Sequence, residues 1–117
     1  MPSEPVRNRV LSTGVPHCSS GNASSGSSAT IADGIAVKRP ADLTLRLIEE
    51  HVDELVTVSD DEIAQAMVHL IERSKLVVEG AGAVGLAALR AGKVQVPDSG
   101  SCCVVLSGGN VDASLLA

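Results

Sequence analysis

The sequence contains no Phe, Tyr or Trp. Aromatic side chains supply much of the buried area in small domains, so a core here must be assembled from Val, Leu, Ile and Ala. With many alanines among the 44% hydrophobic residues, that core is expected to be thin, which points to a chain that is part of something larger. Basic residues are scarce too: 9 Lys and Arg stand against 14 Asp and Glu, for a net charge of -5. Such a balance lacks the electrostatic footprint of a nucleic-acid binder. No apolar run approaches the roughly 20 residues of a membrane helix. Met1-Pro2-Ser3-Glu4-Pro5 has no apolar signal-peptide core. Neither nucleic acid nor membrane is expected as a partner, and the cytoplasm is the default location. Cysteine is sparse as well, with 3 residues. The odd count and the adjacency of Cys102 and Cys103 argue against a disulfide framework. Neighbours on a strand point to opposite faces, so these two do not share a metal. Both read as small buried hydrophobes in a reducing compartment.

The 117 residues suit one domain at most. Residues 1-28 read as a disordered tail, because Ser19 to Ser28 is almost all serine and glycine and offers nothing to bury. His17 and Cys18 lie there without the further ligands a metal needs. Order is expected from residue 29 to residue 117. Asp33-Gly34 marks a turn and Pro40 closes that segment. Leu43, Leu47 and Ile48 recur at helical spacing, predicting a helix over Asp42 to His51. Glu54 to Val58 alternates and is β-branched, predicting a strand.

Ser59-Asp60-Asp61-Glu62 has the form of a capping box, with Val58 and Ile63 placed as its hydrophobic staple. A helix over 60-74 follows, with Ile63, Ala66, Met67, Leu70 and Ile71 on one face. His69 falls on the other face and reads as a solvated side chain. Gly80 to Ala91 reads as a second helix that packs closely through its small residues, with Gly92 as its stop signal. Lys93 to Pro97 reads as an edge strand or loop.

Cys102-Cys103-Val104-Val105-Leu106 is an apolar run long enough for one buried strand, and it ends at Ser107-Gly108-Gly109-Asn110. Glycines there permit a sharp turn and bring a ligand close to bare backbone. Ligands in open α/β sheets sit at the carboxyl ends of strands, which makes Ser107 the first candidate for chemistry. Ser-Gly-Gly-Asn is equally an ordinary turn sequence.

The glycines of the second helix admit two chemistries. Gly80-x-Gly82-x-x-Gly85, with Asp98 downstream, matches the dinucleotide fingerprint and would make a nicotinamide-binding module. Against this, Glu79 precedes the first glycine with a charge that opposes a pyrophosphate. The other chemistry uses Glu79 and Ser107 together: if the 102-106 strand lies beside the helix start, a carboxylate and a hydroxyl face one crevice. A hydroxyl there can donate to a neutral ring nitrogen, whereas a carboxylate would keep that nitrogen protonated.

Four segments, Thr30 to Pro40, Val56 to Ile63, Val78 to Ala83 and Val105 to Asp112, resemble threonine ammonia-lyase (threonine dehydratase) in order and separation. Serine racemase shares a looser version. The resemblance covers about Ala29 to Ala117. It implies an α/β fold: a partial three-layer parallel sheet with flanking helices, the C-terminal part of a tryptophan-synthase-β-like catalytic domain. It implies pyridoxal 5'-phosphate as cofactor. Ser107 would meet the pyridine nitrogen, Gly34 with Asp33 would lie beside the ring, and Glu79, Gly80 and Gly108 would line the same pocket. It implies a small amino-acid substrate, threonine or serine, with threonine converted to 2-oxobutanoate and ammonia, and a homo-oligomer for the full enzyme. The family's Schiff-base lysine stands in a Ser-aromatic-Lys context that this chain lacks; Lys38, Lys75 and Lys93 stand in other contexts. The chain is therefore expected to be inactive alone, to expose an unpaired edge and apolar helix faces, and to pair with a complementary N-terminal fragment. A non-catalytic interaction piece or gene remnant stays open beside that reading.

Overall fold

A computed structural model describes residues 9-13, 30-36, 41-96 and 98-115. The elements are β1 (Arg9–Thr13), α1 (Asp42–His51), β2 (Glu54–Val58), α2 (Asp60–His69) and α3 (Gly80–Arg90), with single 3-10 turns at Asp33–Ile35 and Ala113–Leu115. β1 and β2 run parallel, from Arg9 opposite Glu54 to Thr13 opposite Val58. This is an α/β arrangement, with a parallel pair beside helices.

The helix signals are realised atom by atom. Ser59 Oγ accepts from the Glu62 amide at 3.3 Å, and the Glu62 carboxylate accepts from the Ser59 amide at 2.7 Å. Both staple residues, Val58 and Ile63, are buried. Past His69 the helix widens into one π turn over Leu70–Ser74, and Lys75 ends it in the left-handed region at φ 58°. At the end of α3, Gly92 takes φ 67°, its amide donates to the Leu89 carbonyl, and the Lys93 amide donates to the Ala88 carbonyl. That pair of bonds is the Schellman ending, which a residue without a Cβ adopts at least cost.

The core is small and aliphatic. Ile63, Ala66, Met67 and Leu70 from α2 and its π turn pack on Ala83, Val84, Ala87 and Ala88 of α3, with Ala32, Val58 and Val78 around them. Alanines on α3 let the two helices approach closely. Lys93 fastens the rim, donating to the Glu62 carboxylate at 2.7 Å and the Thr57 carbonyl at 2.9 Å. α1 spans the expected residues yet buries none of them; Leu43 is 60% exposed.

Four expectations are corrected. Arg9–Thr13, read as part of a disordered tail, is a strand: Val10 and Leu11 interrupt the polar composition, and β2 supplies a ladder partner. The rest of 1-28, including His17 and Cys18, and Lys38 and Pro97, lie outside the described residues. Residues 102-106 form no strand, because a strand needs a hydrogen-bonding neighbour and none lies beside them among the described residues. Cys102 and Cys103 are accordingly exposed free thiols and not buried hydrophobes. His69 is half-buried; Arg90 donates to its Nδ1 at 2.9 Å, so it ties α2 to α3.

Candidate functional site

Three loops meet at the first turn of α3. Glu79 is its N-cap residue, and the Glu79 amide donates to the Gly108 carbonyl at 3.1 Å. This bond draws the Ser107-Gly108 turn onto the helix start. Gly108 adopts φ 75°, and a Cβ on it would overlap the Glu79 carboxylate. Only glycine therefore combines that backbone with that neighbour. Gly82 is buried, and a Cβ there would overlap the Ser107 carbonyl oxygen. Gly80 is buried likewise, its bare face covered by the Ile31 carbonyl. A Cβ on Gly34 would lie 3.2 Å from Ala81 Cβ and 4.0 Å from Glu79 Oε1.

The residues singled out in sequence thus converge. Gly34, Glu79, Gly80 and Gly108 share one contact region, half-buried at Glu79 and open at Gly34 and Gly108. Ser107 joins through its carbonyl on Gly82, and the residue is exposed. Asp33 sits on the 3-10 turn beside Gly34.

A cleft of about 550 Å³ opens beside this region, lined by Thr30, Ile31, Asp33, Asp60, Glu79, Gly80, Asn110, Val111 and Asp112. Four of these are carboxylates and none is a cation. The described lysines are engaged elsewhere: Lys75 Nζ donates to the Glu72 carbonyl at 2.8 Å, and Lys93 holds Glu62. Asp112 is kept below its ordinary value by the backbone amide and then the hydroxyl of Ser114, each 2.9 Å from Oδ1.

Sequence reading missed Asp60 as a site residue. Thr30 Oγ1 donates to Asp60 Oδ1 at 2.5 Å, across 30 residues of chain. Asp60 registered only as part of a capping box, and nothing local signals so distant a polar contact.

The same geometry disposes of the dinucleotide fingerprint. A pyrophosphate needs the bare faces of the glycines, and carbonyl oxygens of Ile31 and Ser107 occupy those of Gly80 and Gly82. No strand leads into the helix either, since residues 75-79 are irregular.

Comparison with known proteins agrees with the geometry. The family model "Pyridoxal-phosphate dependent enzyme" matches residues 4-108, reaching upstream of Ala29, where the sequence resemblance began. The L-threonine ammonia-lyase of Thermotoga maritima is 49% identical over 87 residues, covering 74% of this chain and 21% of that protein. The T.th. threonine deaminase superposes with a TM-score of 0.65 at 36% identity, covering 72% of this chain and 30% of that one. The serine racemase of Dictyostelium discoideum gives a TM-score of 0.60 at 36% identity, covering 71% and 27%. The chain spans only about a fifth of the length of the first of these relatives. With a family model matching most of its length, the chain belongs to the pyridoxal-phosphate-dependent enzymes, whose cofactor is pyridoxal phosphate.

Proposed function

We propose that this chain forms the ring-side wall of the cofactor pocket in a threonine ammonia-lyase, and that a complementary polypeptide segment supplies the rest. The observation that carries the reading is the seating of the Ser107-Gly108 turn against Glu79, with Gly34 near the same carboxylate. Three segments far apart in sequence, each matching the same family motif set, meet there.

The donor set fits one part of the cofactor. Gly34 and Gly108 let two loops pack closely on Ala81 and Glu79 at the helix start, and the hydroxyl of the exposed Ser107 is a neutral donor suited to a pyridine nitrogen. The described residues do not fit the phosphate: the cleft is walled by Asp33, Asp60, Glu79 and Asp112 without a cation. Nor is either described lysine free to hold the aldehyde. Those two tasks belong to the complementary segment.

When bound, pyridoxal phosphate supplies an electron sink for the pair left at the substrate's α-carbon. The chain's own part is placement. The Glu79 amide fixes the turn that carries Ser107, and Ser107 Oγ offers a proton in a hydrogen bond without transferring it. A neutral donor leaves the ring nitrogen unprotonated, where a carboxylate would charge it. Asp33 lines the cleft with a carboxylate, which suits the ammonium group of an amino acid. Threonine is the substrate the reading commits to, since a relative named for it is 49% identical. The setting is the reducing cytoplasm, where Cys102 and Cys103 stay free thiols.

The test is borohydride reduction of the purified chain after incubation with pyridoxal phosphate. Mass spectrometry is expected to find no pyridoxyl label on Lys75 or Lys93. With the complementary segment added, the label is expected on that segment. Stoichiometric labelling of this chain alone would overturn the division of labour.

A further inference from the structure

Asp60 and Thr30 do something beyond lining the cleft. Thr30 Oγ1 is a relay: it donates to Asp60 Oδ1 at 2.5 Å and accepts from the Ala32 amide at 3.2 Å. Ala32 is fully buried. Its carbonyl accepts from the Ile35 amide at 3.1 Å, and the Asp33 carbonyl accepts from the Ala36 amide at 3.0 Å. One carboxylate on α2 thereby anchors the whole 30-36 loop. That loop in turn lies on α3 with no slack, since the Ile31 carbonyl covers Gly80 and Gly34 sits on Ala81.

Asp60 is itself well placed to serve as an anchor. It is the first residue of α2, next to the Ser59 cap, and Glu62 of the same turn is held by Lys93 from beyond the end of α3. A carboxylate is also favoured at a helix start by the helix dipole. The α2–α3 pair is thus extended to a loop whose Ile31 and Ala32 reach the core but whose outer part does not: Asp33, Gly34, Ile35 and Ala36 are all exposed.

We infer that Thr30 and Asp60 are a positioning pair, which seats the 30-36 loop on the first turn of α3 and so sets the spacing between Gly34 and Glu79. The meaning of that spacing for a cofactor rests on the proposed function; the seating itself does not. Neither residue is assigned contact with cofactor or substrate by this inference. A hydrogen bond to a charged acceptor is among the stronger ones, and its loss releases the outer part of the loop, 33-36, which burial does not hold.

Amide hydrogen exchange on the full 117-residue chain tests this without cofactor. Thr30→Val and Asp60→Ala are each expected to speed exchange at the Ile35 and Ala36 amides about tenfold, the scale of one lost bond to a charged group. The Ala83 and Ala91 amides, inside and at the end of α3, are expected to keep their wild-type rates. Thr30→Ser and Asp60→Asn keep a hydroxyl and an acceptor, and are expected to restore slow exchange. The double variant is expected to be no faster than Thr30→Val alone, because that substitution already removes the bond the two residues share. Unchanged exchange at Ile35 and Ala36 overturns the inference. So does a rise shared equally by Ala83 and Ala91, since the pair would then hold the fold at large. Loop exchange that behaves as expected while the chain takes up a pyridoxyl label alone would leave the positioning pair standing and remove the cofactor reading.

Discussion

Helices α2 and α3 and the segments α1 and 102-106 are all rich in aliphatic residues, and they meet opposite fates. α2 and α3 bury Ile63, Met67, Leu70, Val84 and the alanines between them against one another. α1 leaves Leu43, Leu45 and Leu47 exposed, and Val105 is 77% exposed. Composition does not separate the two groups; a facing surface does. α2 and α3 face each other, whereas α1 buries none of its residues and the 102-106 run leaves Val105 and Leu106 exposed. In a family whose named members are several times longer, the exposed faces are where we place the complementary segment.

The sharpest way to break that contrast is to truncate one apolar residue in each group. Ile63→Ala is expected to cost about 3 kcal/mol, as transfer and cavity terms add at a fully buried site. Leu43→Ala is expected to fall within about 0.5 kcal/mol of wild type. Urea unfolding of both variants checks this, and equal losses would mean that α1 is packed in solution.

How much of this was legible beforehand divides along the same line. The start of α2 was written in Ser59 and Glu62, and the end of α3 in Gly92, because caps are local. The span of α1 was legible in its leucine spacing, but its exposure was not, since periodicity reports a face and not what covers it. The 102-106 run reads as a buried strand for the same reason: Val104, Val105 and Leu106 have the composition, and only a neighbour makes the ladder. β1 was hidden because the serine-rich run at 19-28 set the reading of all of 1-28. At the site, Glu79, Gly34, Gly80 and Gly108 were legible as motif residues. The Thr30–Asp60 bond was not, because a single polar contact 30 residues apart leaves no pattern.

A second contrast lies between two glycines. Gly82 has a helical backbone but no space, so Gly82→Ala drives a Cβ into the Ser107 carbonyl. Backbone must shift, at about 2 kcal/mol. Gly92 has open space but φ 67°, so Gly92→Ala is expected to cost about 1 kcal/mol from the left-handed backbone alone. Only Gly82→Ala is expected to move the Gly108 amide resonance as well. A reversal of that order would contradict the close approach of the Ser107 turn to α3.

The smallest effect expected is at the Lys93 rim. The Lys93 ammonium, and after it the Ser59 amide, holds the Glu62 carboxyl below its ordinary 4.5. A carboxyl depressed in the folded state stabilises the fold above its unfolded value, and that contribution fades as pH falls through the lowered native one. The pair is partly solvated, so below about 1 kcal/mol is expected. Lys93→Met should flatten the stability profile between about pH 5 and the acid limb by that amount, read from urea midpoints.

The most direct measurement is release of 2-oxobutanoate from threonine by this chain co-expressed with a polypeptide covering the remaining length of its relatives, compared between wild type and Ser107→Ala. The account predicts that the Ser107→Ala pair assembles equally well and loses at least about tenfold in rate, the scale of one hydrogen bond removed from the cofactor ring. An assembled pair that deaminates threonine at the wild-type rate without the Ser107 hydroxyl would contradict it.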